Sequence, residues 1–345
     1  MQALILAGGE GTRLRPLTYT VPKPVLPLAG RPHIAYVIDW LARHGVDDVV
    51  VSCGHLAGGI RDALAGLVGA RLHFAEEPDP RGTAGAIRFA EDLLADRFFV
   101  LNGDVLCDLD LGALIERHRS AGARATIALN PVDDPSTYGL VRRREDGEIL
   151  EFLEKPDPSE IDTDEVNAGA YLLERSVLEE IPPDREVSIE REVFPRLVGD
   201  GLYGVRLEGY WIDIGTPGRF RQANWDILER RLETVVGERI DSDGLLVEDG
   251  AEVSAEARVE APALVGAGAI VGTGARVGPR AVLGPGCRVD EQATVEGSVL
   301  LRGCRVGERA IVRDSILSAR VEVAAAAEVE PGSVIGEGDL AEAAG

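Results

Sequence analysis

Lysine is nearly absent from this chain. The sequence carries 36 lysine and arginine residues, but only Lys23 and Lys155 are lysine, and each stands in a Lys-Pro dipeptide. Elsewhere arginine has replaced it, as GC-rich coding or a high-salt cytoplasm would do. A compact ammonium on a flexible stem is not equivalent to a planar guanidinium. Positions 23 and 155 are therefore candidates for sites where only lysine serves. Cysteine is also scarce. Cys53, Cys107, Cys287 and Cys304 lie far apart with no Cys-x-x-Cys spacing, which excludes a zinc site and points to thiols of a reduced compartment. No apolar run reaches the ~18 residues of a membrane-spanning helix. The first residues lack the basic segment of a secretory signal, so a cytoplasmic protein without a membrane partner is expected. Positive charge is in short supply overall. The net charge is −23, which argues against a nucleic-acid partner.

Against that acidic background one stretch stands out. Gln2 to Ala7 is an apolar run of strand length. It opens into Gly8, Gly9 and Gly11, which let backbone approach a ligand and present its N–H groups to an anion. Arg13, Arg15, Lys23 and Arg31 against Glu10 give residues 1–31 a net charge of +3 in a chain of −23. A local cationic field of this kind suits a polyphosphate. It is not a Walker A loop, because Lys23 lies twelve residues beyond Gly11. Nor is it the dinucleotide fingerprint, because Leu14 takes the third glycine position after Gly9 and Gly11.

To about residue 230 the pattern alternates strands and helices. Helices are expected at His33–His44 (ended by Gly45), Leu56–Leu67, Thr83–Ala95, Leu111–Ser120 and Phe220–Leu232. Strands are expected at Asp48–Cys53, Arg71–Ala75, Arg97–Leu101 and Ala123–Leu129. This predicts an α/β fold, a mainly parallel sheet covered by helices, with ligands at the carboxyl ends of the strands. Two strand-end runs, Phe-Phe-Val-Leu-Asn-Gly-Asp ending at Asp104 and Tyr-Trp-Ile-Asp-Ile-Gly-Thr-Pro around Asp213, each deliver a carboxylate. Such a pair suits a hard cation such as Mg²⁺, although strand-end aspartates also serve as helix caps and turn formers.

The series Gly-Gly-x-Gly-Thr-Arg-Leu-x-Pro-Leu-Thr…Pro-Lys-Pro resembles the signature of the sugar-nucleotide pyrophosphorylases, which join a sugar 1-phosphate to a nucleoside triphosphate. The resemblance extends to Phe-Leu-Glu-Lys-Pro around Lys155 and to Val-Asn-Ala-Gly-Ala-Tyr around Asn167. It implies a Rossmann-like nucleotidyltransferase domain. Its nucleotide would be bound by Leu6, Gly8, Gly9, Gly11, Thr12, Arg13, Lys23, Glu77, Gly82 and Asp104. Mg²⁺ would sit on Asp104 and Asp213, and the sugar phosphate among Gly139, Glu154, Lys155 and Asn167. The implied catalytic cations are Arg13 on the departing phosphates, Lys23 across the triphosphate and Lys155 on the incoming sugar phosphate.

At the position of Glu77 a glutamine is common in the thymidylyl- and uridylyltransferases. A carboxylate only accepts hydrogen bonds. Guanine offers two adjacent donors, whereas uracil and thymine offer one donor between two acceptors. Glu77 therefore favours GTP, provided that it and not Glu76 faces the base. The runs 188–195 and 207–211 also look most like mannose-1-phosphate guanylyltransferases. The alternatives are a glucose-1-phosphate thymidylyl- or uridylyltransferase and a non-catalytic regulatory subunit. The latter would be expected to lose an arginine, lysine or aspartate of the signature, and none is missing.

After Ile240 the texture changes. Large apolar residues recur every sixth position from Val247 through Val253, Val259 and on to Leu301, with small residues four behind from Ala251 to Val299. The phase slips by one near Cys304 and resumes through Val306, Val312 and Ile316. A six-residue repeat marks a parallel β-helix, and this one resembles the left-handed hexapeptide β-helix. Acyltransferases of that form need a histidine in the coils, and all five histidines precede residue 119. The expectation is therefore a catalytic domain over 1–232 and an assembly or regulatory module over 233–345, with homo-oligomers formed through the β-helix.

Overall fold

The computed structural model describes residues 1–54, 56–67, 69–154 and 156–337, and the backbone of 340–341. Two compact units partition the chain: Met1–Gly9 with Val37–Trp211, and Glu10–Tyr36 with Ile212–Gly345.

The first unit is built on a nine-stranded sheet. The strands used below are β1 (Gln2–Leu6), β2 (Asp48–Cys53), β3 (Arg71–Glu76), β4 (Arg97–Asn102), β5 (Ala125–Pro131), β6 (Gly139–Arg143), β7 (Ile149–Glu154), β8 (Glu165–Glu174) and β9 (Leu202–Arg206). The main path runs β7-β6-β8-β4-β1-β2-β3, with β5 joining β8 to β9. The strands β4, β1, β2 and β3 are parallel neighbours. The other half, around β8, pairs antiparallel with β4, β5 and β6. The parallel half is apolar on both faces because helices cover it. Leu4, Val50, Phe98 and Val100 are all fully buried in its core with Tyr171 and Phe194.

Register decides what the strand ends hold. Leu6 lies level with Ser52 on one side and Asn102 on the other. Cys53 still pairs with Glu76, and the residues that follow the strands, Gly8, Gly54, Glu77 and Gly103, lie at one rim of the sheet. Helices α1 (His33–Arg43), α2 (Ala57–Leu64) and α3 (Gly82–Phe89) follow strands, as expected for crossovers. The helix expected at Thr83–Ala95 instead breaks at Ala90. Its N–H is shared by the carbonyls of Ala86 and Ile87, and a 3-10 turn takes over. Tightening of the last turn in this way satisfies orphan helix carbonyls.

The second unit contains residues 10–36, helix α4 (Pro217–Leu228) and the repeat half. Its repeats form three parallel sheets of six, six and five short strands, a left-handed β-helix. Val265, Val271, Val277, Leu283, Val289 and Val295 fill its axis. Register corrects the expected phase. Leu283 pairs with Leu300, and Leu300 with Leu317. The inward residues are therefore Leu300 and Leu317, in place of the expected Leu301 and Ile316. The chain drops one residue at the same corner in two successive coils, before Ser298 and before Ser315.

The two serines compensate for that loss. Ser298 Oγ donates to the Glu296 carbonyl (2.8 Å) and accepts from the Ser315 N–H (3.0 Å). Ser315 Oγ donates to the Arg313 carbonyl (2.7 Å). The Ser298 hydroxyl takes the place of a backbone acceptor for the buried Ser315 N–H, which would cost about 1–3 kcal/mol if left unpaired.

Residues 10–36 are tied into this unit. The Ala29 N–H donates to Asn224 Oδ1 on α4 (2.7 Å), and Trp225 Nε1 donates to the Arg280 carbonyl in the β-helix (3.0 Å). Thr20 Oγ1 donates to Glu337 Oε2 (2.7 Å).

Candidate active site

The rim of the parallel half carries the glycine loop. Leu6 ends β1, and the Ala7 N–H extends the ladder to the Ser52 carbonyl (2.8 Å). Gly8 then passes the Glu77 side chain, where a Cβ would lie in ordinary contact with Oε1, 3.5 Å away. A Cβ on Gly9 would meet no atom within 4 Å.

In the second unit the loop continues through Gly11, whose φ of 63° lies in the left-handed region. A Cβ at Gly11 would also press on Thr18 (3.0 Å) and Lys23 (3.1 Å). Thr18 Oγ1 closes the turn on the Gly11 carbonyl (2.9 Å). Thr12 and Arg13 sit exposed on the following 3-10 turn, anchored by buried Leu14. Lys23 is buried at 8% exposure. Arg15 pairs with Glu10 (3.0 Å).

Glu76 and Glu77 part company at the end of β3. Glu76 turns to Arg61. The Glu77 N–H donates to the Cys53 carbonyl (2.8 Å), and Glu77 Oε1 accepts from Ser52 Oγ (2.7 Å). Burial pushes the Glu77 carboxyl above the ordinary carboxylate value, while Ser52 and the Arg81 backbone N–H favour its ionised form. Beyond it, Gly82 has φ 68° and would carry a Cβ 2.6 Å from the Val187 carbonyl, so only glycine fits. The loop is stapled there. The N–H groups of Ala84 and Gly85 both reach the Val187 carbonyl. Thr83 and Ser188 hydroxyls both donate to Glu190 Oε2 (2.7 and 2.8 Å).

At the end of β4, Gly103 places Asp104. The Gly103 N–H donates to the Leu6 carbonyl (2.9 Å), and a Cβ would fall 2.5 Å from that oxygen. Asn102 Oδ1 is buried without a hydrogen-bond partner among the described residues. On the antiparallel half, Gly139 and Glu154 face each other in register across β6 and β7. A Cβ on Gly139 would meet Glu154 Oε2 at 3.0 Å. Asn167 sits where the β8 register shifts. It donates to Tyr171 Oη (2.8 Å) and accepts from the Gly169 N–H (2.9 Å). Lys155 lies outside the described residues.

In the second unit Asp213 Oδ1 accepts from the Gly215 N–H (2.7 Å), and Oδ2 lies 3.6 Å from Arg219. Arg13 lies over Gly215, where a Cβ would meet its guanidinium at 2.6 Å. Sequence reasoning assigned no role to Ser52, Asn102 or the Thr83–Glu190 contact. The one signal for Ser52 was a hydroxyl closing the run Val49-Val50-Val51.

Residues 2–230 match the nucleotidyl transferase family. The chain belongs to that family. Residues 243–341 of this transferase also match the GMPPB C-terminal domain. It is 39% identical over 264 residues to the mannose-1-phosphate guanylyltransferase of Mycobacterium tuberculosis, a match spanning 73% of this chain and 72% of that one. It is 40% identical over 227 residues to the mannose-1-phosphate guanylyltransferase catalytic subunit beta of Dictyostelium discoideum, covering 64% of this chain and 62% of the relative. Among solved structures it resembles HddC from Yersinia pseudotuberculosis, complexed with GMP-PN. The TM-score is 0.56 at 31% identity, over 65% of this chain and 97% of that one. No described helix of the transferase is long and apolar enough to cross a membrane.

Proposed function

We propose that the chain transfers a guanylyl group from GTP to mannose 1-phosphate, giving GDP-mannose and pyrophosphate. The observation that carries this reading is Glu77, a carboxylate held against Gly8 at the ends of the parallel strands. It can accept from the adjacent N1–H and amino groups of guanine and would repel the carbonyls of a pyrimidine. The names of the relatives agree with it.

In the proposed reaction an oxygen of the sugar phosphate attacks the α-phosphorus in line. The bond to the bridging β-phosphate oxygen breaks, and pyrophosphate leaves with that electron pair. The nucleophile is already ionised at neutral pH, so the protein positions and neutralises without supplying a general base. Arg13 receives the departing phosphates, Lys23 spans the triphosphate and Lys155 clamps the sugar phosphate. Gly139, Glu154 and Asn167 form the sugar pocket, in which sheet hydrogen bonds and Tyr171 hold the polar groups in place.

Carboxylates such as Asp104 and Asp213 are the hard oxygen donors that Mg²⁺ takes, and would hold it with phosphates and water completing the shell. Asp213 is oriented for this by the Gly215 N–H. When bound, the ion would draw charge from the phosphate oxygens and reduce repulsion between the two substrates.

Self-association through the β-helix belongs to the same proposal, because Val253 and Ile270 leave apolar surface exposed on it. So does a cytoplasmic location, where nucleoside triphosphates are made. Incubation with GTP, mannose 1-phosphate and Mg²⁺ should yield GDP-mannose, with loss on chelation and recovery on adding Mg²⁺. Absence of GDP-mannose under these conditions would overturn the reading.

A further inference from the structure

We infer that Ser52 is the positioning residue for base selection: its hydroxyl fixes Glu77 so that the carboxylate meets both N–H donors of a guanine edge. The inference rests on the guanylyl reading above and adds to it a residue that no motif marks.

The backbone argument comes first. Ser52 and Glu77 project from neighbouring parallel strands that stay paired to their last residues. Ala7 N–H reaches the Ser52 carbonyl (2.8 Å) and Glu77 N–H the Cys53 carbonyl (2.8 Å). The three Cα positions at Gly8, Ser52 and Glu77 are thereby fixed to the sheet. The remaining freedom is in the glutamate side chain, whose terminal torsion is broad. A hydroxyl bond of 2.7 Å from a residue that is 1% exposed removes that freedom.

The chemistry points the same way. A serine has one proton to give, and Ser52 gives it to Glu77. A partner that receives a proton at one oxygen is held as an acceptor. An acceptor is what two adjacent N–H groups require and what a pyrimidine edge does not. Gly8 completes the arrangement, since a Cβ there would stand in contact with the same Oε1. A hydroxyl that merely satisfied the core would affect stability without regard to the nucleotide.

The test compares GTP with inosine triphosphate, which lacks the 2-amino donor, each with mannose 1-phosphate and Mg²⁺. Wild type, Ser52→Ala, Ser52→Thr and Glu77→Gln are measured, with a thermal melt on each to confirm folding. Wild type should prefer GTP by about tenfold or more in kcat/KM, the worth of one hydrogen bond to a charged group. Ser52→Ala should raise KM for GTP about tenfold, one hydrogen bond's worth to a charged group, with kcat within about twofold. Its preference for GTP over inosine triphosphate should shrink toward one. Ser52→Thr, which keeps the hydroxyl, should restore both.

Losing the Ser52 donor also removes an interaction favouring the ionised carboxylate. The acid limb of kcat/KM for GTP should therefore move to higher pH in Ser52→Ala. A folded Ser52→Ala with the wild-type GTP preference, or one that loses kcat equally with both nucleotides, overturns the inference. If Glu77→Gln relaxes the preference while Ser52→Ala does not, the inference alone fails. If wild type prefers UTP or dTTP to GTP, the guanylyl reading fails and takes the inference with it.

Discussion

The nucleotide half of the sheet and the β-helix are both made of parallel strands, but they differ in what the strand ends do. In the sheet three neighbouring strands end among different polar residues: Ser52 on β2, Glu77 just after β3, and Asn102 and Asp104 at the end of β4. In the β-helix the strands end in much the same way, most of them on a valine or leucine, and its axis holds valine, leucine, alanine and two cysteines, Cys287 and Cys304. One design spends its irregularity on chemistry. The other holds residues 10–36 through α4 and Thr20, and so supports the turn that carries Arg13.

The contrast breaks most sharply at the strand ends. Asp104→Asn should lower kcat about a thousandfold, the upper range for removing one preorganised charge, in a pyrophosphate-release assay. Gly103→Ala should approach it, since a Cβ would collide with the Leu6 carbonyl and displace Asp104. Lys155→Arg should lose most activity although charge is kept, because a planar fork does not replace an ammonium. Near-native kcat/KM in that variant would refute the argument from lysine scarcity.

Truncation after Leu232 comes next. It should leave a weakly active, poorly assembled enzyme, measured by turnover and by light scattering after size exclusion. A fully active truncated protein of unchanged mass would mean that the repeats serve something else.

Within the β-helix the effects are smaller. Ser298→Ala should cost about 1–3 kcal/mol in denaturant unfolding, because it leaves the Ser315 N–H unpaired in the interior. The half-buried Ser254→Ala should stay within about 0.5 kcal/mol. Equal costs would remove the special role of the shortened corner.

The smallest effect is on pH. His118 is buried between Thr126 Oγ1 (2.8 Å) and Glu174 Oε1 (3.0 Å). Burial holds its pKa below the ordinary imidazole value. Burial would raise the Glu174 carboxyl, but hydrogen bonds from His118 and Arg97 outweigh it and keep it below the usual range. Both groups bind fewer protons folded than unfolded, so stability is complete above about pH 6.5 and falls on acidification. The melting temperature should be level near neutrality and decline below that pH, less steeply in His118→Gln. A melting temperature that rises on acidification would contradict the sign.

Much of this was legible in the residues. Asp48–Cys53 reads as a strand and is one, because a valine run cannot sit comfortably elsewhere. The six-residue period announced the β-helix. Its phase was misread past Val295 because one omitted residue shifts every later side chain, and the bond from the Ser315 N–H to Ser298 Oγ that accommodates the shorter coil joins residues 17 apart. The antiparallel half was not visible either, since pairing partners leave no mark on local periodicity. At the site, motif residues could be named but not their supports. The partners that part Glu76 from Glu77, Arg61 and Ser52, are distant in sequence.

The most direct measurement is a pyrophosphate-release matrix of GTP, dTTP, UTP, ATP and CTP against mannose, glucose and N-acetylglucosamine 1-phosphates with Mg²⁺. Selective turnover of GTP with mannose 1-phosphate is the expected result. Preferred turnover of dTTP or UTP with glucose 1-phosphate would contradict the assignment of Glu77 as the reader of guanine.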